Sequence, residues 1–81
     1  STPQNIEYHL IKIYPNPVNH ILNISGRSEK YNVEIYSLTG QKLYQDFNIS
    51  KIDMSMYSEG VYIIKVSDQN STSTKRVIKI N

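Results

Sequence analysis

Short runs of alternating apolar and polar residues are the feature that most constrains this chain. The runs are separated by turn signals of glycine, proline, asparagine or serine about every 8–12 residues. Side chains alternate between the two faces of a β-strand, so each run offers one apolar face to a core. No stretch has the 3.6-residue period of an amphipathic helix. The pattern predicts an all-β sandwich or barrel of six or seven strands.

The strand boundaries follow from this alternation. In the fourth run, Leu43 and Phe47 are expected to face inward. In the sixth and most apolar run, Tyr62, Ile64 and Val66 form one row. Thr39-Gly40 separates two alternating runs, which predicts a β-hairpin. The predicted strands are residues 10–14, 20–25, 32–38, 41–47, 49–53, 61–68 and 74–81.

The composition agrees with strands. The 81 residues include twelve Ile, five Val and seven Tyr, with no Ala and no Trp. Branched and aromatic side chains fit a pleated surface, whereas Ala is the best helix former. A single domain of this length buries only about 60% of its unfolded surface, which leaves little core for a deep enzyme pocket.

Charge, cysteine content and hydropathy exclude several classes of function. The net charge is +2, from nine Lys and Arg against seven Asp and Glu, which is too weak to favour nucleic-acid binding. Without cysteine, the chain has neither disulfides nor a thiolate metal site. No apolar run approaches the roughly 18–20 residues of a membrane helix, so we expect no membrane insertion.

The sequence also contains no recognisable motif for catalysis, cofactor binding or metal binding. His9 and His20 are the two histidines, and neither belongs to an H-E-x-x-H or G-x-S-x-G motif. The loop at residues 67–71 contains one carboxylate, whereas calcium takes six to eight oxygens. The glycines lie too far apart to cradle a phosphate. We therefore expect no enzyme activity, no catalytic residues, no cofactor and no metal.

Two groups of residues have a structural and a functional interpretation. Tyr36, Tyr44 and Tyr62 suit cross-strand packing, although an exposed tyrosine row would suit sugar binding. The last strand carries Lys75 and Arg76, and then Lys79. Lysines on an edge strand discourage aggregation, but a basic terminal strand can also be recognised by a partner, for instance by strand addition. In that strand Ile78 and Ile80 share one face, and Lys75, Val77 and Lys79 share the other.

Four segments in order resemble a known family. They are "YPNPVNHILNI", "VEIYSLTGQKLY", "IDMSMYSEGVYIIKV" and "STKRVIKI", which together extend over residues 10–81. This order resembles the type A C-terminal sorting domain of the type IX secretion system of Gram-negative bacteria. The matching residues are Pro15, Asn16 and Pro17 in a turn, Thr39 and Gly40 in a hairpin, Met56, Gly60 and Tyr62 in an L-x-x-G-x-Y motif with Met56 in the place of leucine, and Lys75, Arg76 and Lys79 in a basic last strand.

The resemblance implies an immunoglobulin-like β-sandwich that targets a protein for secretion. Residues 1–9 are then a polar linker to an upstream cargo domain, and residues 10–81 are the sorting domain. The implied partners are the outer-membrane machinery of type IX secretion and a sortase-like peptidase, and the implied location is the cell surface or the medium. A sugar-binding or adhesive module of a secreted enzyme is the alternative, and a passive spacer is a third hypothesis.

Overall fold

The computed structural model describes residues 11–26, 30–69 and 71–81. This part of the chain contains seven strands and no helix, which confirms the predicted all-β class. No helix long and apolar enough to cross a membrane occurs among the described residues. The strands are β1 (Lys12–Tyr14), β2 (Ile21–Ser25), β3 (Asn32–Ser37), β4 (Lys42–Phe47), β5 (Lys51–Asp53), β6 (Gly60–Ser67) and β7 (Thr72–Lys79).

The strands form two sheets that face each other, as in an immunoglobulin-like sandwich. The three-stranded sheet has the order β1-β2-β5, and the four-stranded sheet has the order β4-β3-β6-β7. All pairings within the sheets are antiparallel. The predicted linker at residues 1–9 and its His9 lie outside the described residues.

The core lies between the two sheets, where the inward faces of the strands bring apolar side chains together. The predicted row Tyr62, Ile64 and Val66 is buried, which confirms the alternation in β6. The three-stranded sheet contributes Ile13, Leu22, Ile24 and Ile52 to this core, and the four-stranded sheet contributes Val33, Ile35, Tyr62, Ile64, Val66 and Val77.

The predicted inward face of β4 is wrong. Tyr44 lies opposite the buried Ile35, and directly opposed residues share a face of the sheet. Leu43 therefore points outward with 38% exposure, and Phe47 does so with 63%. The prediction followed the most apolar residues of the run. The register of β3 with β4, which shifts just after Ile35, decides the face instead.

The hairpin predicted at Thr39-Gly40 joins β3 and β4. The Ser37 N–H donates to the Gln41 carbonyl at 2.9 Å, and the Gly40 N–H donates to the Ser37 carbonyl at 3.0 Å. Gly40 has φ +94°, a conformation that side chains disfavour, so a glycine is required at this point of the turn.

Candidate functional site

The Pro-Asn-Pro corner leads from β1 to the outer edge of β7. The peptide bonds before Pro15 and Pro17 are both cis. Between them, the Asn16 side-chain amide donates to the Arg76 carbonyl at 3.1 Å and accepts the Ile78 N–H at 2.9 Å. One side chain thus satisfies a backbone donor and a backbone acceptor of β7, as a neighbouring strand would.

Val18 continues this edge contact with its backbone. Its N–H donates to the Ile78 carbonyl at 2.8 Å, and its carbonyl accepts the Ile80 N–H at 2.9 Å. Val18 is also fully buried and forms an isolated parallel bridge with Lys79. The segment from Asn16 to Val18 therefore covers the edge of the C-terminal half of β7. Sequence reasoning identified the corner but not this role, because the partner strand is 60 residues away.

The three cations of the last strand have different environments. Lys75 Nζ donates to the Ile13 carbonyl at 3.0 Å, which links the edges of the two sheets. Arg76 is exposed on the outer face. Lys79 is only 2% exposed, and its ammonium donates to the Ile80 carbonyl at 2.9 Å and to Asn81 Oδ1 at 3.2 Å. Of these three candidates for recognition by a partner, Lys79 is therefore buried.

The alternation of β7 explains this arrangement. Val77 lies opposite Tyr62 in the core, so the residues two positions before and after it also face inward. This confirms the prediction that Lys75, Val77 and Lys79 share one face of the strand, and that face is the inward one. Lys79 is tolerated there because its ammonium is hydrogen-bonded rather than left unsatisfied. Because Lys79 lies two positions after the apolar Val77, the sequence pattern already indicated that Lys79 faces inward. Its charge had suggested an exposed position instead.

Gly60 and Tyr62 begin β6 and fix the turn that precedes it. Gly60 has φ +155°, and a side chain there would meet no atom within 4 Å, so backbone conformation alone favours glycine. The Tyr62 hydroxyl donates to the Ser58 carbonyl at 2.7 Å. A tyrosine at a strand start that bonds back to the upstream backbone also occurs as the tyrosine corner of immunoglobulin-like domains. Tyr62 therefore supports the fold from the core.

The assignment of Met56 to the leucine position of the L-x-x-G-x-Y motif is wrong. Met56 is 91% exposed, whereas Tyr57 lies three residues before Gly60, as the motif spacing requires. The Tyr57 ring stacks on the Tyr62 ring with centroids 5.5 Å apart and an angle of 28°. Tyr57 takes the apolar role that the motif gives to leucine.

The outer face of the four-stranded sheet carries a buried acid. Glu34 is 8% exposed and lies 3.2 Å from Lys42 Nζ and 4.0 Å from Lys65 Nζ. Burial raises the pKa of Glu34, but the hydrogen bond and charge of Lys42 outweigh it, with help from the Tyr36 hydroxyl and the charge of Lys65. The pKa of Glu34 therefore lies below its usual value, and the carboxylate holds two of the nearby cations.

The tyrosines mostly pack rather than form an exposed row. Tyr31 and Tyr62 are buried, and Tyr14 is the exposed tyrosine of the described part, at 47%. The other three described tyrosines are partly buried. This arrangement gives no support to the sugar-binding alternative. Among residues 11–26, 30–69 and 71–81, no three His, Cys, Asp or Glu side chains are grouped as they would be around a metal ion.

Comparison with known proteins decides the family. The family model of the secretion system C-terminal sorting domain matches residues 12–81. The chain belongs to this family. A sorting domain of the type IX secretion system directs the protein that carries it to the cell surface or the medium. The resemblance of the four ordered motifs is thereby confirmed.

Two relatives give the context of this sorting domain. It is 31% identical over 80 residues to the beta-agarase D of Zobellia galactanivorans, and the match covers 98% of the chain but 17% of the agarase. The domain thus spans about a sixth of the curated relative that it matches. It also resembles a solved structure of PorZ, a surface component of the type IX secretion system of Porphyromonas gingivalis, with a TM-score of 0.72. That match covers 89% of the chain and 12% of PorZ at 23% identity, and it supports the fold.

Proposed function

We propose that the type IX machinery recognises this sorting domain as a folded surface, without chemistry by the domain itself. The observation that carries the proposal is the integration of the last strand into the fold. β7 pairs with β6 from Gly60–Lys79 to Ser67–Thr72, and Asn16 and Val18 hold its outer edge. A receptor therefore meets side chains placed by the sandwich rather than an extended tail.

The cargo and the processing step are part of the same proposal. The domain follows a secreted cargo, and a sortase-like peptidase removes it at the surface. Cleavage falls in or before residues 1–9, because exposed polar segments are accessible to peptidases. Mass spectrometry of the mature cargo tests this point. A cut within residues 10–81 would contradict it.

A reporter fusion tests recognition of the folded surface. Residues 1–81 are fused to the C-terminus of an exported reporter in a host with type IX secretion, and delivery to the surface and medium is measured. Val77→Asp places a charge in the core and unfolds the domain, yet it leaves the exposed residues of β7 unchanged. We expect delivery of this variant to be lost.

The matched control introduces the same residue at an exposed position of the same strand. Thr72→Asp leaves the core intact, so the domain stays folded and we expect delivery to continue. Normal delivery of an unfolded Val77→Asp domain would show that a linear sequence is recognised. Failure of the unmodified fusion would contradict the sorting function altogether.

A further inference from the structure

The four-stranded sheet carries apolar side chains on its outer face. Leu43 and Phe47 lie apart on the edge strand β4, and we call the others the outer strip: Tyr36, Val61, Ile63, Ile78 and Ile80. Tyr36 lies opposite Ile63, and Val61 lies opposite Ile78, so the strip crosses three neighbouring strands. Ile78 and Ile80 are 43% and 41% exposed, and the other three are partly exposed. These side chains face away from the core, so the fold does not require them to be apolar.

Arg76 lies at the end of the outer strip, directly opposite Ile63. Its side chain is exposed and forms no hydrogen bond or ion pair with the residues that the structure describes. Lys42 and Lys65 on the same outer face differ, because both are paired with Glu34. Arg76 thus offers an unpaired guanidinium beside the apolar side chains of Ile63 and Ile78, at the end of the strip, and arginine is enriched in protein interfaces.

We propose that the outer strip docks a protein that presents a carboxylate to Arg76 from within an apolar patch. This inference rests on the proposed recognition of the folded domain and names the surface and its partner. Charge complementarity specifies the occupant, since a planar guanidinium binds a carboxylate through two parallel hydrogen bonds. The apolar neighbours exclude water from that pair and so strengthen it.

The shape of the strip favours a protein over a lipid surface. Membrane-bound faces insert protruding apolar side chains among the lipids. The most exposed large apolar residues of the described part, Met56 at 91%, Phe47 at 63% and Leu38 at 62%, do not belong to the strip. Val61 and Ile63 instead lie half-buried within the sheet, where a protein surface can cover them more readily than lipid chains can.

The three-stranded sheet provides matched controls. Ile21 is 39% exposed on its outer face, close to the 43% of Ile78. Lys12 is an exposed cation on the outer face of that sheet and serves as the control for Arg76. The test fuses the full chain to an exported reporter and compares Arg76→Glu with Lys12→Glu, and Ile78→Thr with Ile21→Thr. Thermal unfolding of the purified chains establishes that each variant is folded.

We expect Arg76→Glu to lower delivery about tenfold or more, because the reversed charge repels the partner's carboxylate, and Ile78→Thr to lower it several-fold, because it removes apolar contact area. Both control variants keep delivery near that of the unmodified fusion. Normal delivery of folded Arg76→Glu, or equal losses in the controls, overturns the outer strip while leaving the sorting function intact. Failure of the unmodified fusion would instead contradict that function. Binding of the purified chain to vesicles of phosphatidylethanolamine and phosphatidylglycerol tests whether the partner is a lipid surface. Vesicle binding that is lost in Arg76→Glu would overturn the proposal of a protein partner.

Discussion

The outer faces of the two sheets differ, although the sheets share one core. On the three-stranded sheet, the Asn23 amide donates to the Tyr14 carbonyl at 3.3 Å and accepts from Lys51 Nζ at 3.1 Å. This face is mostly polar, with Ile21 and Tyr14 as its exposed apolar side chains, and Asn23 and Lys51 bond to each other. On the four-stranded sheet, the outer strip is apolar and ends beside an unpaired Arg76. Core packing constrains both inward faces alike, so recognition can differ only on the outward ones.

The largest effects on stability are expected in the core, where they test whether the inward faces of the two sheets contribute equally. Leu22 and Ile64 are both fully buried, one on each sheet. Leu22→Ala and Ile64→Ala should each lower the free energy of unfolding by about 3 kcal/mol, because each leaves a cavity. Urea unfolding of the purified chain measures the loss. A loss below about 1 kcal/mol for one variant alone would show that the sheets do not contribute equally to the core.

The next prediction compares two asparagines. Asn16→Ala leaves the Ile78 N–H and Arg76 carbonyl without their side-chain partner, so we expect a loss of about 1–2 kcal/mol. Asn23→Ala removes a longer bond to one carbonyl and a bond from a lysine ammonium that water can replace, and it should cost less than about 0.5 kcal/mol. Chemical denaturation measures both. Equal losses would mean that the corner does not act as an edge partner of β7.

The two outer faces should also respond differently to pH and salt. Hydrogen bonds from the Ser55 side chain and N–H lower the pKa of Asp53, whereas Lys42 is the main cause of the lowered pKa of Glu34. A carboxyl group whose pKa is lower in the folded state stabilises the fold fully at any pH above its unfolded-state pKa. This contribution is lost as the pH falls through the folded-state pKa.

The stability advantage of the unmodified chain over Glu34→Gln should therefore shrink as pH falls below 4.5, the ordinary value for glutamate. Added salt screens the lysine charges and should move the pKa of Glu34 upward more than that of Asp53. NMR titration of the two carboxyl groups at low and high salt measures this. A larger salt response at Asp53 would contradict the assignment of causes.

The smallest effects are expected at the matched isoleucines. Ile21→Thr and Ile78→Thr replace half-exposed side chains with another β-branched residue, so each should change stability by no more than about 0.5 kcal/mol. Thermal unfolding measures both. A clear loss for Ile78→Thr alone would mean that the outer strip stabilises the sandwich, and its apolar character would then need no partner.

Much of the fold could be predicted because alternation and turn residues are local signals. The run at β6 placed its buried residues correctly, and Thr39-Gly40 marked its hairpin. The inward face of β4 could not be predicted, because its register depends on a shift in the pairing with β3. Met56 was assigned wrongly because its apolar character outweighed the spacing that identifies Tyr57.

The sequence alone determined the class of fold, the number of strands and the family, since these depend on periodicity and on the order of motifs along the chain. Tertiary structure decided which of those residues remain available to a partner. Lys79 turns into the core and Lys75 bonds to Ile13, whereas Arg76 points outward. The physical reason is that strand pairing assigns each side chain to one face, and charge does not override that assignment when hydrogen bonds satisfy the buried group.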